Sequence, residues 1–232
     1  MPPLLELVGI QNELQRRQLE NRIDYYNPYP KQQELHAAGK DCSDRLFMAA
    51  NQVGKSVGGG AEWAIHLTGR YPDWWQGAVF EKPVRFWCGG VTSESTRDNP
   101  QRILVGQPEI RDQWGTGMIP KECLLAIAPS RGTPNGIDSL VVKWGGGGDV
   151  QAGESSLLLK SYEKGREKWQ GDTVDGVWFD EEPPLPIFSE GRTRTNNGQL
   201  GNFVMITFTP LLGMSEVVRT FLNDADVKRL AA

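Results

Sequence analysis

The stretch from Arg45 to Ser56 (Arg-Leu-Phe-Met-Ala-Ala-Asn-Gln-Val-Gly-Lys-Ser) constrains this chain more than any other. A short apolar run, Leu46 to Ala50, leads into Asn51, Gln52, Val53, Gly54, Lys55 and Ser56, and a helical pattern follows from Val57 to Thr68. That order reads as strand, phosphate loop, helix. Backbone N–H groups of such a loop converge on an anion, and the helix adds the positive end of its dipole. Lys55 then reaches the β- and γ-phosphates of a nucleotide, and the Ser56 hydroxyl holds Mg²⁺. Ala49 departs from the usual pattern, which has glycine there. Gly-Lys-Ser also occurs in plain surface turns, so the reading rests on its neighbours. Gly58, Gly59 and Gly60 let the helix lie close against a sheet.

A second anchor answers the first. Gly176-Val177-Trp178-Phe179-Asp180-Glu181-Glu182 is an apolar strand ending in carboxylates, and the C-terminal edge of an open α/β sheet is where ligands bind. Asp180 is expected to hold Mg²⁺, through water or through Ser56. Glu181 is expected to orient and polarise the attacking water, with Glu182 as the rival for that role. A third strand, Phe203 to Pro210, carries Thr207 and Thr209 near its tip, where a hydroxyl can sense the γ-phosphate. Ahead of the loop, Tyr29-Pro30-Lys31-Gln32-Gln33 offers a ring to stack on a purine and an amide to pair with the adenine edge. An ordinary helix start is the other reading of that segment.

Composition narrows the class. At 232 residues the chain holds one large α/β domain or two small ones, and 38% hydrophobic residues make it globular. A net charge of −4 argues against a broad basic coat for nucleic acid and leaves room for a local basic face. Cys42, Cys88 and Cys123 form no CxxC pair and fit free thiols in a reducing compartment. His36 and His66 have no ligand spacing around them. No apolar run is long enough to span a bilayer, and the first ten residues lack a secretory layout, so a cytosolic protein is expected.

The remaining segments are punctuated by Gly and Pro. Residues 4–22 read as an amphipathic helix that packs on the main domain or offers a partner surface, and residues 84–88, 140–144 and 156–162 as strands. Helices are expected near 31–36, 100–105 and 215–222, and loops at 115–117, 131–138 and 145–148. Trp74 and Trp75 read as a lid on the core, with a binding surface as the other reading. The turn from Glu163 to Gly171 mixes Lys164, Arg166 and Lys168 with Trp169, which suits phosphates, a neighbouring subunit or plain solvent.

Four blocks, residues 29–33, 51–56, 177–182 and 207–210, together resemble the ATPase domain of the large terminase subunit of tailed bacteriophages, a motor that packages DNA into procapsids. Residues 69–75 and 160–166 read like segments of the same family. The resemblance implies an α/β, three-layer P-loop NTPase, RecA-like and of the additional-strand, catalytic-glutamate type, with a mainly parallel sheet. It implies ATP and Mg²⁺ as cofactors: adenine binding by Gln33 with Tyr29, phosphate binding by the 51–56 loop, Mg²⁺ at Ser56 and Asp180, catalysis by Glu181 with Lys55, and coupling through Thr207 and Thr209. It also implies double-stranded DNA, portal protein, a small terminase subunit and a homo-oligomeric ring as partners, in the host cytoplasm. Some relatives carry an arginine within the phosphate loop and this loop has none, so a finger is expected elsewhere, with Arg166 chosen ahead of Arg131, Arg192 and Arg194. One ATPase domain is expected over 1–232, with 1–44 as a helical, adenine-side segment and 45–232 as core. A C-terminal nuclease domain is expected to be absent from this chain. The alternatives are a helicase-like ATPase, which normally needs a second motor domain, and a nucleotide-binding module that does not hydrolyse.

Overall fold

The computed structural model describes residues 4–50, 52–145, 152–210, 215–223 and 228–231. Within them the strands are β1 (Asp44–Met48), β2 (Arg85–Gly90), β3 (Leu124–Pro129), β4 (Ile137–Trp144), β5 (Gly153–Ser161), β6 (Gly176–Asp180), β7 (Val204–Phe208) and β8 (Lys228–Ala231). They form one sheet in the order β3-β4-β5-β2-β6-β7-β1-β8. The pairings from β5 through β8 are parallel, and β3 and β4 extend one side as antiparallel strands. The helices are α1 (Leu4–Glu20), α2 (Pro30–Ala38), α3 (Lys55–Thr68), α4 (Ser93–Thr96), α5 (Arg102–Val105), α6 (Leu185–Arg194) and α7 (Glu216–Asn223). No described helix is long and apolar enough to cross a membrane.

Central strands are buried on both faces, so they read as continuous apolar runs, and their alternate residues enter two different cores. Phe47, Phe86, Cys88, Trp178 and Met205 face one core, with Trp63, Ala64 and Leu67 of α3 packed on them. Leu46, Trp87, Val177, Phe179 and Ile206 face the other, under Ile187 and Phe188 of α6 and Val217 and Phe221 of α7. The result is three layers, helix–sheet–helix. On α3, a Cβ at Gly59 would stand 2.7 Å from the Trp178 ring, so only glycine allows the helix to sit this close to β6.

Several expectations meet the structure differently. α1 forms, but Leu7, Ile10 and Leu14 are about half exposed (48–52%), so its apolar stripe does not pack on the domain. Charge pairs within the helix support it locally: Glu13 binds Arg17 at 2.8 Å and Arg16 at 2.8 Å. Its C-terminal end is tied down by Lys121 on Glu20 at 3.0 Å. The helix expected from residue 100 starts at Ser93 and runs through a π-helical stretch, Arg97–Gln101, around Pro100, which lacks an N–H to donate. β3, α6 and β8 were not expected. Asn51 and Gly146 to Gly148 lie outside the described residues.

Candidate active site

β6, β7 and β1 are adjacent and parallel, so their C-terminal ends emerge side by side. β1 feeds the phosphate loop, β6 ends in Asp180, and β7 lies between them as the additional strand. The loop turns through left-handed Gln52 (φ 64°) and Gly54 (φ 81°) before α3 begins at Lys55. Gln32 of α2 fastens it from the side, donating from Nε2 to the Gly54 carbonyl at 2.8 Å while its Oε1 accepts from the Tyr29 N–H at 2.8 Å.

Lys55 is buried, and its ammonium donates to the Ala50 carbonyl (2.7 Å) and to Thr209 Oγ1 (3.0 Å). Burial lowers its pKa, and the charges of Glu181 and Asp180 pull it back up. Ser56 Oγ donates to Asp180 Oδ1 at 2.7 Å, and Thr207 Oγ1 donates to the same oxygen at 2.9 Å. Asn99, on the π-helical stretch, donates its amide to Asp180 Oδ2 and to Ser56 Oγ at 3.3 Å. Trp178 Nε1 donates to Thr207 Oγ1 at 2.8 Å, so Thr207 is fully buried beneath the carboxylate. Burial pushes the Asp180 pKa up to about 6, against the opposing pull of those hydrogen bonds. A buried carboxylate held by neutral hydrogen-bond donors, beside a serine hydroxyl, is a hard-oxygen donor set of the kind Mg²⁺ takes when water and phosphate oxygens complete its shell. Among the described residues there is no cluster of three or more His, Cys, Asp or Glu able to hold a metal ion.

Glu181 follows immediately, with φ 67°, and its Oε2 is 3.5 Å from the Thr209 N–H. Glu182 is half-buried beside it. Lys55, Ser56, Asp180, Glu181, Thr207 and Thr209 are thus brought together, with Gln52, Val53 and Gly54 on the loop above them. Gln33 is exposed, and its amide reaches the Pro28 carbonyl at 3.4 Å. Tyr29 is 67% exposed, with its ring edge near Gly54. Arg166 lies apart from this group, its guanidinium on Glu190 of α6 at 2.8 Å. Arg192 is farther still, paired with Asp44 at the first residue of β1 (2.8 Å), the opposite edge of the sheet. Sequence reasoning did not pick out Gln32 or Asn99. Asn99-Pro100, in the polar segment that follows β2, was the one available signal for Asn99.

The family described as "Terminase large subunit, T4likevirus-type, N-terminal" matches residues 46–231. The large terminase subunit of Salmonella phage P22 is 45% identical over 232 residues, covering 95% of this chain and 46% of that protein. The chain spans about half the length of the curated relatives it matches. Among solved structures, the large terminase ATPase domain of Thermus phage P74-26 superposes with a TM-score of 0.63 at 16% identity, over 91% of this chain and 83% of that one. The large terminase of the thermophilic bacteriophage D6E, solved in complex with ADP, superposes with a TM-score of 0.54 at 15% identity, over 88% of this chain and 45% of that one. The fold is that of the P-loop, RecA-like terminase ATPase domains, and the chain belongs to the terminase large subunit family.

Proposed function

We propose that residues 1–232 act as an ATPase domain that, in the whole protein, powers translocation of viral double-stranded DNA into a procapsid. Residues 1–44 form the adenine-side segment and residues 45–232 the core. The observation that carries this reading is the run of contacts from Lys55 through Thr209 and from Ser56 through Asp180 to Thr207, across three adjacent strand ends. Backbone groups of the 51–56 loop and Lys55 bind the phosphates, and Gln33 and Tyr29 take the adenine. Ser56 and Asp180 hold Mg²⁺, which supplies charge neutralisation at the transferring phosphoryl. Glu181 orients and polarises the attacking water. Thr209 touches Lys55 directly and Thr207 touches Asp180, so loss of the γ-phosphate is felt on β7 and on the chain that follows it. The working assembly is a homo-oligomeric ring on a portal, with a small terminase subunit, in the host cytoplasm. Arg166 serves as a finger for the neighbouring subunit.

Single-turnover hydrolysis by Glu181→Gln and Glu182→Gln, with nucleotide affinity measured separately, tests the assignment of the water-activating group. Glu181→Gln is expected to keep its affinity and lose hydrolysis by about two to three decades. The opposite pattern would move the role to Glu182.

A further inference from the structure

Tyr162 stands just past the end of β5, and its position bears on the neighbouring carboxylate. Its ring is buried against Trp169 and Phe179, with centroids 5.9 and 6.1 Å away. The hydroxyl emerges among three backbone carbonyls: Glu181 at 2.8 Å, Asp180 at 3.1 Å and Gly89, near the end of β2, at 3.1 Å. A phenol carries one proton, so it donates to the nearest carbonyl, that of Glu181.

Glu181 needs such a hold. Its φ of 67° is left-handed, a region disfavoured for a residue with a Cβ and kept only where the surroundings impose it. On its amide side, Glu181 N–H donates to the Thr207 carbonyl at 2.8 Å. On its carbonyl side, the partner is Tyr162. The two bonds fix both peptides flanking Glu181, and with them the direction in which its carboxylate leaves the backbone. The next residue braces the other half of the site. Glu163 accepts from the Ser93 N–H (2.7 Å) and Ser93 Oγ (2.6 Å), pinning the start of the helical segment that delivers Asn99 to Ser56 and Asp180.

We propose that Tyr162 is a positioning residue for the reaction: its hydroxyl holds Glu181 in the left-handed conformation that aims the carboxylate at the water to be activated. This rests on the assignment of Glu181 as the water-activating group.

Tyr162→Phe keeps the ring and removes only the hydroxyl. In single-turnover ATP hydrolysis we expect a fall of about 10- to 100-fold, as for a catalytic group displaced by a fraction of an ångström. Nucleotide affinity should stay within about threefold, because no phosphate contact is touched. Amide exchange at Glu181 should quicken by about tenfold, since one of its two flanking bonds is gone. The double variant Tyr162→Phe/Glu181→Gln should be no slower than Glu181→Gln alone, because Tyr162 acts only through that side chain. A Tyr162→Phe protein that hydrolyses like the parent, loses affinity in step with rate or fails to fold would overturn the proposal, as would a double variant slowed by both factors. A fast Glu181→Gln would instead overturn the Glu181 assignment, and this inference with it. A slow Glu181→Gln beside a fast Tyr162→Phe would overturn this inference alone.

Discussion

Glu62 is fully buried on the phosphate-loop helix, with Arg45 at 2.6 Å, His36 Nδ1 at 2.7 Å and His66 Nε2 at 3.7 Å. Burial opposes its ionisation, yet Arg45 and the two imidazoles outweigh that and hold its carboxyl well below the usual range. The Arg45–Glu62 pair is close without being aligned as a hydrogen bond, so charge rather than geometry binds it. Removing one partner of such a pair leaves a buried charge uncompensated, and Glu62→Gln is expected to cost about 3–5 kcal/mol in urea unfolding. A loss below about 1 kcal/mol would show that water reaches the cluster. His66, in the same cluster, has its pKa lowered by burial, which outweighs the pull of Glu62. The unfolded chain takes up that proton near 6.5 while the folded chain does not, so the unfolded state binds more protons there. Stability therefore falls as pH drops through 6.5, by up to about 1.4 kcal/mol per pH unit. Comparing urea midpoints at about pH 7.5 and about pH 5.5 should show a smaller drop for His66→Gln than for the parent. An equal drop would place the titration elsewhere.

At the scale of elements, α3 packs closely through two glycines that differ in what they face, Gly59 on β6 and Gly60 on α5. A Cβ at Gly59 would meet the Trp178 ring, which is fully buried and bonded through Nε1 to Thr207. A Cβ at Gly60 would meet Cγ2 of Ile103 at 2.4 Å, a single methyl on a half-buried side chain that is stiff at χ1. Gly59→Ala is expected to cost about 1–3 kcal/mol through overpacking. Gly60→Ala gains up to about 1 kcal/mol of helix propensity against a clash with one methyl, and should be destabilised less than Gly59→Ala. Thermal melts of the two variants check the order, and a Gly59→Ala protein as stable as the parent would mean that the helix shifts freely on the sheet. These elements were legible for the same reason that they pack so closely. β6 was read from its observed start, two residues past its observed end, because both its faces are buried, which leaves an unbroken apolar run closed by carboxylates. β3 was not, because four of its six residues are exposed at the sheet edge and no pattern marks it. α6 was hidden by Pro183, Pro184 and Pro186, which read as a break but here lie at and just before the first turn, where proline is tolerated.

At the scale of the whole molecule, the candidate site was legible only where its residues sit on the chain in fixed order. Lys55, Ser56, Asp180 and Glu181 follow from strand ends and loop chemistry. Gln32, Asn99 and Tyr162 reach the site from other elements, by contacts that no local spacing encodes. Arg166 is proposed to act at a further level, between subunits. Its guanidinium rests on Glu190 and is 58% exposed, while Arg194 also binds Glu190. Arg166 can therefore leave for a neighbour without stranding a buried carboxylate. If it serves in trans, mixing Arg166→Ala with Lys55→Ala subunits under assembling conditions should restore part of the activity that a finger contributes, which spans about three to five decades in known cases. No recovery in a mixture shown to assemble would rule out that role.

The 51–56 loop is proposed to bind nucleotide phosphates, with Lys55 stabilising the charge that develops on them. The most direct test is ATP hydrolysis by the chain and by Lys55→Ala, with the fold of both checked by circular dichroism. Loss of one preorganised cationic donor predicts a fall of about two to three decades in rate with secondary structure unchanged. A folded Lys55→Ala protein that hydrolyses ATP as fast as the parent would mean that the 51–56 loop is not a catalytic phosphate site.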